Sequence, residues 1–167
     1  MTQSRRIGLR WSGLSLIGAS TALACHLLMA APAFAGDDAA AIIAAVNDVR
    51  AAHGLAPVTV NEKLSRAAQA KAEAMAESGA LAHNGPAGNL TERLAAAGYA
   101  FSEAAENLGG GAQSAKETVQ GWAQSPPHAR NLLVPSLKEA GAGHAAGKPG
   151  DLYGDYWCLI LASPALP

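Results

Sequence analysis

The segment that most limits the fold lies near the C-terminus of the chain. Residues 156–162 read Tyr-Trp-Cys-Leu-Ile-Leu-Ala, so both alternating faces of a strand formed there are apolar. A strand that is apolar on both faces has to be covered on both sides. We therefore expect this strand to lie in the middle of a layered domain.

A second strand is predicted at residues 139–146, before a turn at residues 147–151. Glycine and alanine dominate this segment, which suits a place where two backbones approach closely. Periodic apolar residues and capping residues predict four helices earlier in the chain, at 38–53, 61–79, 91–97 and 115–124. Residues 109–111 are all glycine, and we expect a flexible turn there. Helices first and strands later indicate an α+β fold, in which a three-layer α-β-α sandwich surrounds a small, mainly antiparallel sheet.

The first 35 residues have the features of a secretory signal peptide. Three arginines form a basic start, residues 14–30 are apolar, and Ala33-Phe34-Ala35 matches a cleavage site. We expect cleavage near Ala35, which leaves residues 36–167 as one domain in a periplasmic or extracellular location. The apolar run is short and rich in small residues, so we expect no transmembrane segment in the mature chain.

The net charge of the chain indicates which kinds of molecule it does not bind. Three of the 12 basic residues lie in the predicted signal peptide, so nine remain against 13 acidic residues. This acidic excess argues against nucleic acid or an anionic membrane surface as a partner. Cys158 is the one cysteine left, which excludes an internal disulfide. It lies in the apolar run, so we expect a buried thiol.

Three polar residues fall outside any regular amphipathic stripe, namely His83, Glu106 and His128. Two imidazoles and a carboxylate are groups that bind a borderline metal ion or transfer protons near neutral pH. Proline at 126 and 127 fixes the backbone just before His128. We predict that the three side chains meet in one cleft open to solvent, close enough to share a metal ion or a water molecule.

Six short motifs together resemble the bacterial CAP (SCP) domains. They belong to a superfamily that includes cysteine-rich secretory proteins, insect venom allergens and plant pathogenesis-related proteins. The resemblance extends from about Ala40 to Ala162 and implies an α-β-α sandwich and secretion. The motifs are, in order, Asn47-x-x-Arg50-x-x-His53-Gly54-Leu55-x-Pro57, His83, Glu106-Asn107-Leu108, Ser125-Pro-x-His128-x-x-Asn131-Leu-Leu133, Gly141-x-Gly143 and Tyr156-Trp157.

This chain departs from the animal and plant members, which line a central cleft with two histidines and two glutamates. His83 and Glu106 match the first residue of each kind. The second glutamate would fall at Ser125, and Tyr156-Trp157 stands where the second histidine would be. His128 belongs to the bacterial version of the motif.

The resemblance also adds residues to the predicted ligand-binding cleft. They are Asn107, Asn131, Tyr156 and Trp157, with either aromatic residue forming part of the wall. Three of the predicted site residues have a structural alternative. The carboxylate of Glu106 can accept buried backbone N–H groups, Asn131 can clamp a loop backbone, and Trp157 can belong to the core.

Three functions remain open from the sequence. The first is a secreted binding domain for a small ligand or a divalent metal such as Zn²⁺, with His83, His128 and Glu106 as the candidate metal ligands. The second is a hydrolase of extracellular or cell-envelope substrates in which Glu106 is the catalytic general base. The third is an interaction domain for a protein or lipid in which the cluster is only structural.

Overall fold

Five helices and four strands follow one another in the computed structural model, which describes residues 36–166. The predicted signal peptide lies outside the described residues and stays a prediction. The helices are α1 (Asp37–Ala52), α2 (Glu62–Ser78), α3 (Leu90–Ala96), α4 (Ala115–Gln124) and α5 (Pro126–Leu132). The strands are β1 (Thr59–Val60), β2 (Phe101–Gly110), β3 (Glu139–Ala146) and β4 (Asp155–Pro164).

The four strands form one mixed sheet in the order β1-β3-β4-β2. β4 lies between β3 and β2 and is antiparallel to both. β1 has two residues and pairs with β3 in parallel. The prediction of a small, mainly antiparallel sheet is therefore confirmed.

Helices cover both faces of this sheet, and β4 shows why its sequence is apolar throughout. Trp157, Leu159 and Leu161 pack in a core with α1, α4 and α5. Cys158 and Ile160 pack in a second core with α2 and α3. Successive side chains of a strand point to opposite faces. The predicted α-β-α sandwich is thus confirmed, with β4 as the wall that its two cores share.

Close approach of α2 to β3 accounts for the glycines of β3. A Cβ atom at Gly141 would lie 2.1 Å from the backbone carbon of Leu64, and one at Gly143 would lie 2.4 Å from Cα of Gln69. Both distances are far shorter than a van der Waals contact. Glycine is therefore required at both positions for α2 to pack at this distance.

Side-chain caps fix several helix ends near the predicted positions. Asn61 accepts hydrogen bonds from the backbone N–H groups of Lys63 and Leu64 at the start of α2, and Gly79 ends that helix with φ +69°. Ser114 caps α4. Such caps satisfy N–H groups that have no partner within the helix, and they are recognisable from sequence.

Arg50 anchors α1 to the segment between α5 and β3. Its buried guanidinium donates hydrogen bonds to four backbone carbonyls, those of Ala56, Leu132, Val134 and Leu137. Burial lowers the pKa of Arg50. These bonds hold the end of α5, the helix that carries His128, against the rest of the domain.

The predicted turn at residues 109–111 is wrong for its first two positions. Gly109 and Gly110 belong to β2, where they pair with Trp157 and Tyr156. The turn begins at Gly111, which has φ +91°. β2 was missed because its alanines and glycines are poor strand formers, and its extended conformation depends on pairing with β4.

No helix within residues 36–166 combines the length and apolar character needed to cross a bilayer.

Candidate functional site

Glu106 lies in the middle of β2, on the sheet face that packs against α2 and α3. It pairs with Ile160 of β4, whose side chain belongs to the α2–α3 core. Its own side chain is 3% exposed. A carboxylate buried to this extent is stable only when it is paired with a cation or with hydrogen-bond donors.

Both oxygens of the Glu106 carboxylate have partners. Arg93 of α3 forms an ion pair with Oε1 through Nη2, and the Cys158 thiol lies 3.7 Å from the same oxygen. Nδ1 of His83 lies 2.7 Å from Oε2. Because an ionised carboxylate only accepts hydrogen bonds, Nδ1 of His83 carries the proton and donates it. His83 and Glu106 are therefore in direct contact, and a cleft that both share with His128 stays a prediction.

Arg93 is a site residue that the sequence did not reveal. Its guanidinium also donates to the carbonyl oxygens of His83, at 3.1 Å, and of Gly88, at 2.8 Å. It therefore holds the loop between α2 and α3 as well as the carboxylate. In the sequence it reads as an ordinary charged residue of a short helix, and its burial depends on tertiary packing. Arg93 Nε is buried with no hydrogen-bond partner in the described part of the chain.

Of the three residues His83, Arg93 and Glu106, His83 is the exposed one. Its side chain is 59% exposed although its Nδ1 is bonded to a carboxylate that is almost fully buried. Fixing the proton on Nδ1 leaves Nε2 of the neutral ring as an acceptor. The ring is thus held in one orientation by the protein interior, with most of its surface in contact with solvent.

His128 lies on α5, in the opposite helical layer, and is half-buried. Its Nδ1 is 2.9 Å from Oγ of Ser125. Burial lowers the pKa of His128, and the charge of His83 lowers it further. The second effect means that the two imidazoles are near enough to interact electrostatically. β2 is an edge strand, so groups from the two layers can approach one another around it.

Asn107 and Asn131 connect β2 to α5. The side chain of Asn107 is fully buried and donates to the carbonyl of His128 at 3.1 Å. The amide of Asn131 donates to the carbonyl of Glu106 at 3.2 Å and to Oδ1 of Asn107 at 2.8 Å. Both asparagines therefore bind the backbone and each other. For Asn131 this is the structural alternative that the sequence analysis raised, a side chain that clamps the backbone. Their contact with a ligand stays a prediction.

Tyr156 and Trp157 are both buried, on opposite faces of β4. The hydroxyl of Tyr156 donates to Asp151 at 2.6 Å. The indole N–H of Trp157 donates to the carbonyl of Ala112 at 2.9 Å, and its ring stacks on His144 with centroids 4.0 Å apart. These polar groups are bonded within the fold, and a place for either residue in the cleft wall stays a prediction.

The predicted metal ligands do not fit a three-ligand centre. Within residues 36–166 no group of three or more histidine, cysteine, aspartate or glutamate side chains is placed so that it could hold a metal ion. The physical reason lies in Glu106, because Arg93 and His83 already occupy its two oxygens. Glu106 therefore orients His83 and is not placed as a ligand beside it.

Comparisons with known proteins agree with this architecture. Residues 43–161 match the family described as "CAP: Cysteine-rich secretory protein family". The protein YkwD of Bacillus subtilis (strain 168) is 29% identical over 104 residues, which are 62% of this chain and 40% of that protein.

Two solved structures show the same fold. An extracellular protein containing an SCP domain from Bacillus anthracis str. Ames superposes with a TM-score of 0.68 and 22% identity, over 75% of this chain and 40% of that chain. An outer surface protein of Borrelia burgdorferi superposes with a TM-score of 0.67 and 16% identity, over 74% of this chain and 90% of that chain. This chain thus spans 40% of the length of each Bacillus protein. From the match over residues 43–161, the chain belongs to the CAP (cysteine-rich secretory protein) family.

Proposed function

We propose that this chain is a secreted CAP-domain protein that binds a small polar ligand at the exposed edge of His83. The observation that carries the proposal is the 2.7 Å bond from Nδ1 of a largely exposed imidazole to the buried carboxylate of Glu106. A buried charge that orients an exposed ring is an arrangement typical of binding and catalytic sites. The relative from B. anthracis is an extracellular protein, which supports secretion.

The chemistry of the ring indicates which ligands suit it. In its neutral form His83 offers Nε2 as a hydrogen-bond acceptor, and burial lowers the pKa of His128, which favours the neutral form of that second imidazole. A ligand that presents hydroxyl or amino groups would match these acceptors. Cell-envelope glycans and peptides carry such groups.

A titration followed at the histidine resonances tests the proposal. Soluble peptidoglycan fragments and Zn²⁺ would be added separately to the purified protein, and the ring carbon and proton shifts of each histidine recorded. We expect the fragments to shift His83 first and to bind about tenfold more weakly to His83→Ala, which corresponds to the loss of about one hydrogen bond. His53→Ala is the matched control, because His53 is also an exposed imidazole but bonds only its own helix, at Val49.

Two outcomes would reject the proposal in this form. One is fragment binding that His83→Ala leaves unchanged. The other is a response to Zn²⁺ alone, which would return the site to the metal-binding function. An absence of any response at His83 would favour the third function, an interaction domain with a structural cluster.

The bond between Glu106 and His83 also favours a hydrolase as a second candidate. In this hydrolase the general base would be His83, and not Glu106 as expected from the sequence. Glu106 is buried and paired, so it cannot reach a water molecule, whereas an oriented His83 can accept a proton through Nε2. Ester, peptide and cell-wall substrates would be screened with the native protein, His83→Ala and Glu106→Gln. Turnover lost in both variants and kept in His53→Ala would establish the enzyme, and inactivity of the native protein would exclude it for those substrates.

A further inference from the structure

Lys71 is a buried cation that the site described above does not use. It lies on α2 and is 2% exposed. Its position falls on the same stripe as Leu64, Ala68 and Met75, which face the core. A lysine is rarely this buried unless its ammonium group has a partner.

Lys71 makes no hydrogen bond or ion pair with another residue of the described chain. Burial lowers the pKa of Lys71 and the charge of Arg93 lowers it further, whereas Glu106 and Cys158 act in the opposite direction. Glu106 is already paired with Arg93. Burial raises the pKa of the Cys158 thiol, so this group is uncharged near neutral pH. Two cations thus share one carboxylate, and one positive charge is left without a counter-charge.

A cavity of about 80 Å³ lies beside this lysine, under the loop that follows α2. Its volume is that of about two or three water molecules in the liquid. Besides Lys71, the polar side chains that line it are those of Ser78 and Asn84. The Ser78 hydroxyl already donates to the carbonyl of Ala74, at 2.7 Å. The amide of Asn84 makes no hydrogen bond within residues 36–166, so its N–H donors are available beside those of Lys71.

We propose that this cavity is a binding site for a small monocarboxylate, held by the ammonium of Lys71 with the amide of Asn84 as a second donor. An anion of this size supplies the counter-charge that the cluster lacks and fits the volume. The site goes beyond the function proposed above, because neither the side chain of His83 nor that of Glu106 lines the cavity.

Thermal unfolding in formate tests this assignment. The midpoint for the purified protein would be measured in sodium formate and in the sodium salt of MES at equal ionic strength, since MES is a monovalent anion too large for the cavity. We expect formate, and not MES, to raise the midpoint, with saturation at a dissociation constant of about 1 mM or weaker because the ligand is so small. A midpoint that is the same in both salts would overturn the proposal.

Two variants separate this site from general salt effects. Lys71→Met keeps an unbranched side chain that is one atom shorter and removes the charge, and we expect this variant to lose the difference between formate and MES. Lys63→Met is the control, since Lys63 lies on the same helix but is exposed and bonds the carbonyl of Gly98. An equal response to formate in Lys71→Met would contradict the proposal.

A crystal structure of the native protein grown in formate makes the test independent of whether Lys71→Met folds. We expect density for formate within hydrogen-bond distance of Lys71 Nζ. Water alone in the cavity at saturating formate would exclude the site. Absence of formate binding would leave the proposed function of His83 unaffected. Absence of ligand binding at His83 would likewise leave the formate site unaffected, so each proposal can be rejected without the other.

Discussion

At the scale of single residues, Glu106 is where the buried charges of the α2–α3 layer meet. It pairs with Arg93, orients His83 and lies within electrostatic range of Lys71. A buried carboxylate in this position balances cations that would otherwise have no counter-charge. Its first effect is therefore on stability, and any effect on ligand binding follows from the orientation of His83.

Replacing the Glu106 carboxylate by an amide should show how much the stability of the fold depends on its charge. We predict that Glu106→Gln unfolds with a free energy about 3–5 kcal/mol lower than the native protein, because Arg93 loses its partner in a buried environment. Urea unfolding followed by circular dichroism measures the difference. Glu77→Gln, at an exposed position of α2, should stay within about 0.5 kcal/mol of the native protein. Similar losses in both variants would show that the buried pair has no special role.

The electrostatic contact between the two imidazoles gives a second prediction. The charge of His83 contributes to the lowered pKa of His128, so His83→Gln should raise the pKa of His128 towards its usual value. An NMR titration of the His128 ring measures the shift. An unchanged pKa would mean that the two side chains do not interact and that they belong to separate sites.

The same pKa fixes the sign of a pH effect on stability. The folded state holds the His128 proton less tightly than the unfolded state, in which the pKa is about 6.5. The stability that the folded state gains from keeping His128 neutral is therefore fully present above about pH 6.5. It is lost as the pH falls through the pKa of His128 in the folded state. We expect His128→Gln to lose less stability than the native protein between about pH 7 and pH 5.

Sequence alone indicated part of this site. His83, Glu106 and His128 stood out because they fall outside any regular amphipathic stripe. Arg93 and Lys71 did not, because a charged residue on a helix reads as exposed unless its neighbours in space are known. For Lys71 a signal was present, since it falls within the apolar stripe of α2. The contacts of Glu106 with Arg93 and Cys158 were not predicted, because they depend on how distant segments pack in space.

At the scale of elements, the helices were predictable and one long strand was not. Asn61, Gly79 and Ser114 mark helix ends through hydrogen bonds and backbone angles that are local in sequence. β2 lacks any comparable local signal, as Ala104 and Ala105 favour helix over strand. The strand exists because β4 offers it a full ladder of hydrogen-bond partners.

Two glycine-to-alanine substitutions should change the free energy of unfolding in opposite directions, and the first of them tests the contact between α2 and β3. Gly141→Ala places a methyl group against backbone atoms of α2, which cannot rotate away, so we expect a loss of about 3 kcal/mol in the free energy of unfolding. Gly121→Ala is the matched substitution in α4, where a Cβ meets nothing within 4 Å. It should stabilise the protein by about 0.5–1 kcal/mol, because alanine favours the helix. Chemical denaturation of both variants measures the pair, and a stable Gly141→Ala would mean that the two elements are not in close contact.

At the scale of the whole molecule, stability within residues 36–166 comes from two apolar cores without a disulfide. Cys158 is free and buried between β4 and the α2–α3 layer. The apolar sequence of residues 156–162 was enough to predict a layered domain, since a strand of that composition needs a layer on each side. What the sequence did not provide was the pairing order of the strands, which depends on contacts across the whole chain.

The buried thiol allows the opening of the domain to be measured. We predict that Cys158 reacts with a disulfide reagent only as fast as the domain unfolds, because the thiol is buried and its pKa is raised by that burial. Mass spectrometry of the labelled Cys158 peptide at increasing urea concentration measures the rate. Ala51→Cys adds an exposed thiol on α1 that should react at once. Equally rapid labelling of Cys158 in buffer would contradict the packing described for β4.

The position of β4 has a consequence for how the molecule is made. β4 is the last of the four strands within residues 36–166, yet it is the one that joins β2 to β3. Until residues 155–164 have been synthesised, the two parts of the sheet remain separate and neither core has its common wall. The growing polypeptide therefore has no complete domain to form before residue 164 has been synthesised. An export signal of the kind predicted for residues 1–35 would act on a chain that is still unfolded, the state required for passage through a narrow translocation channel.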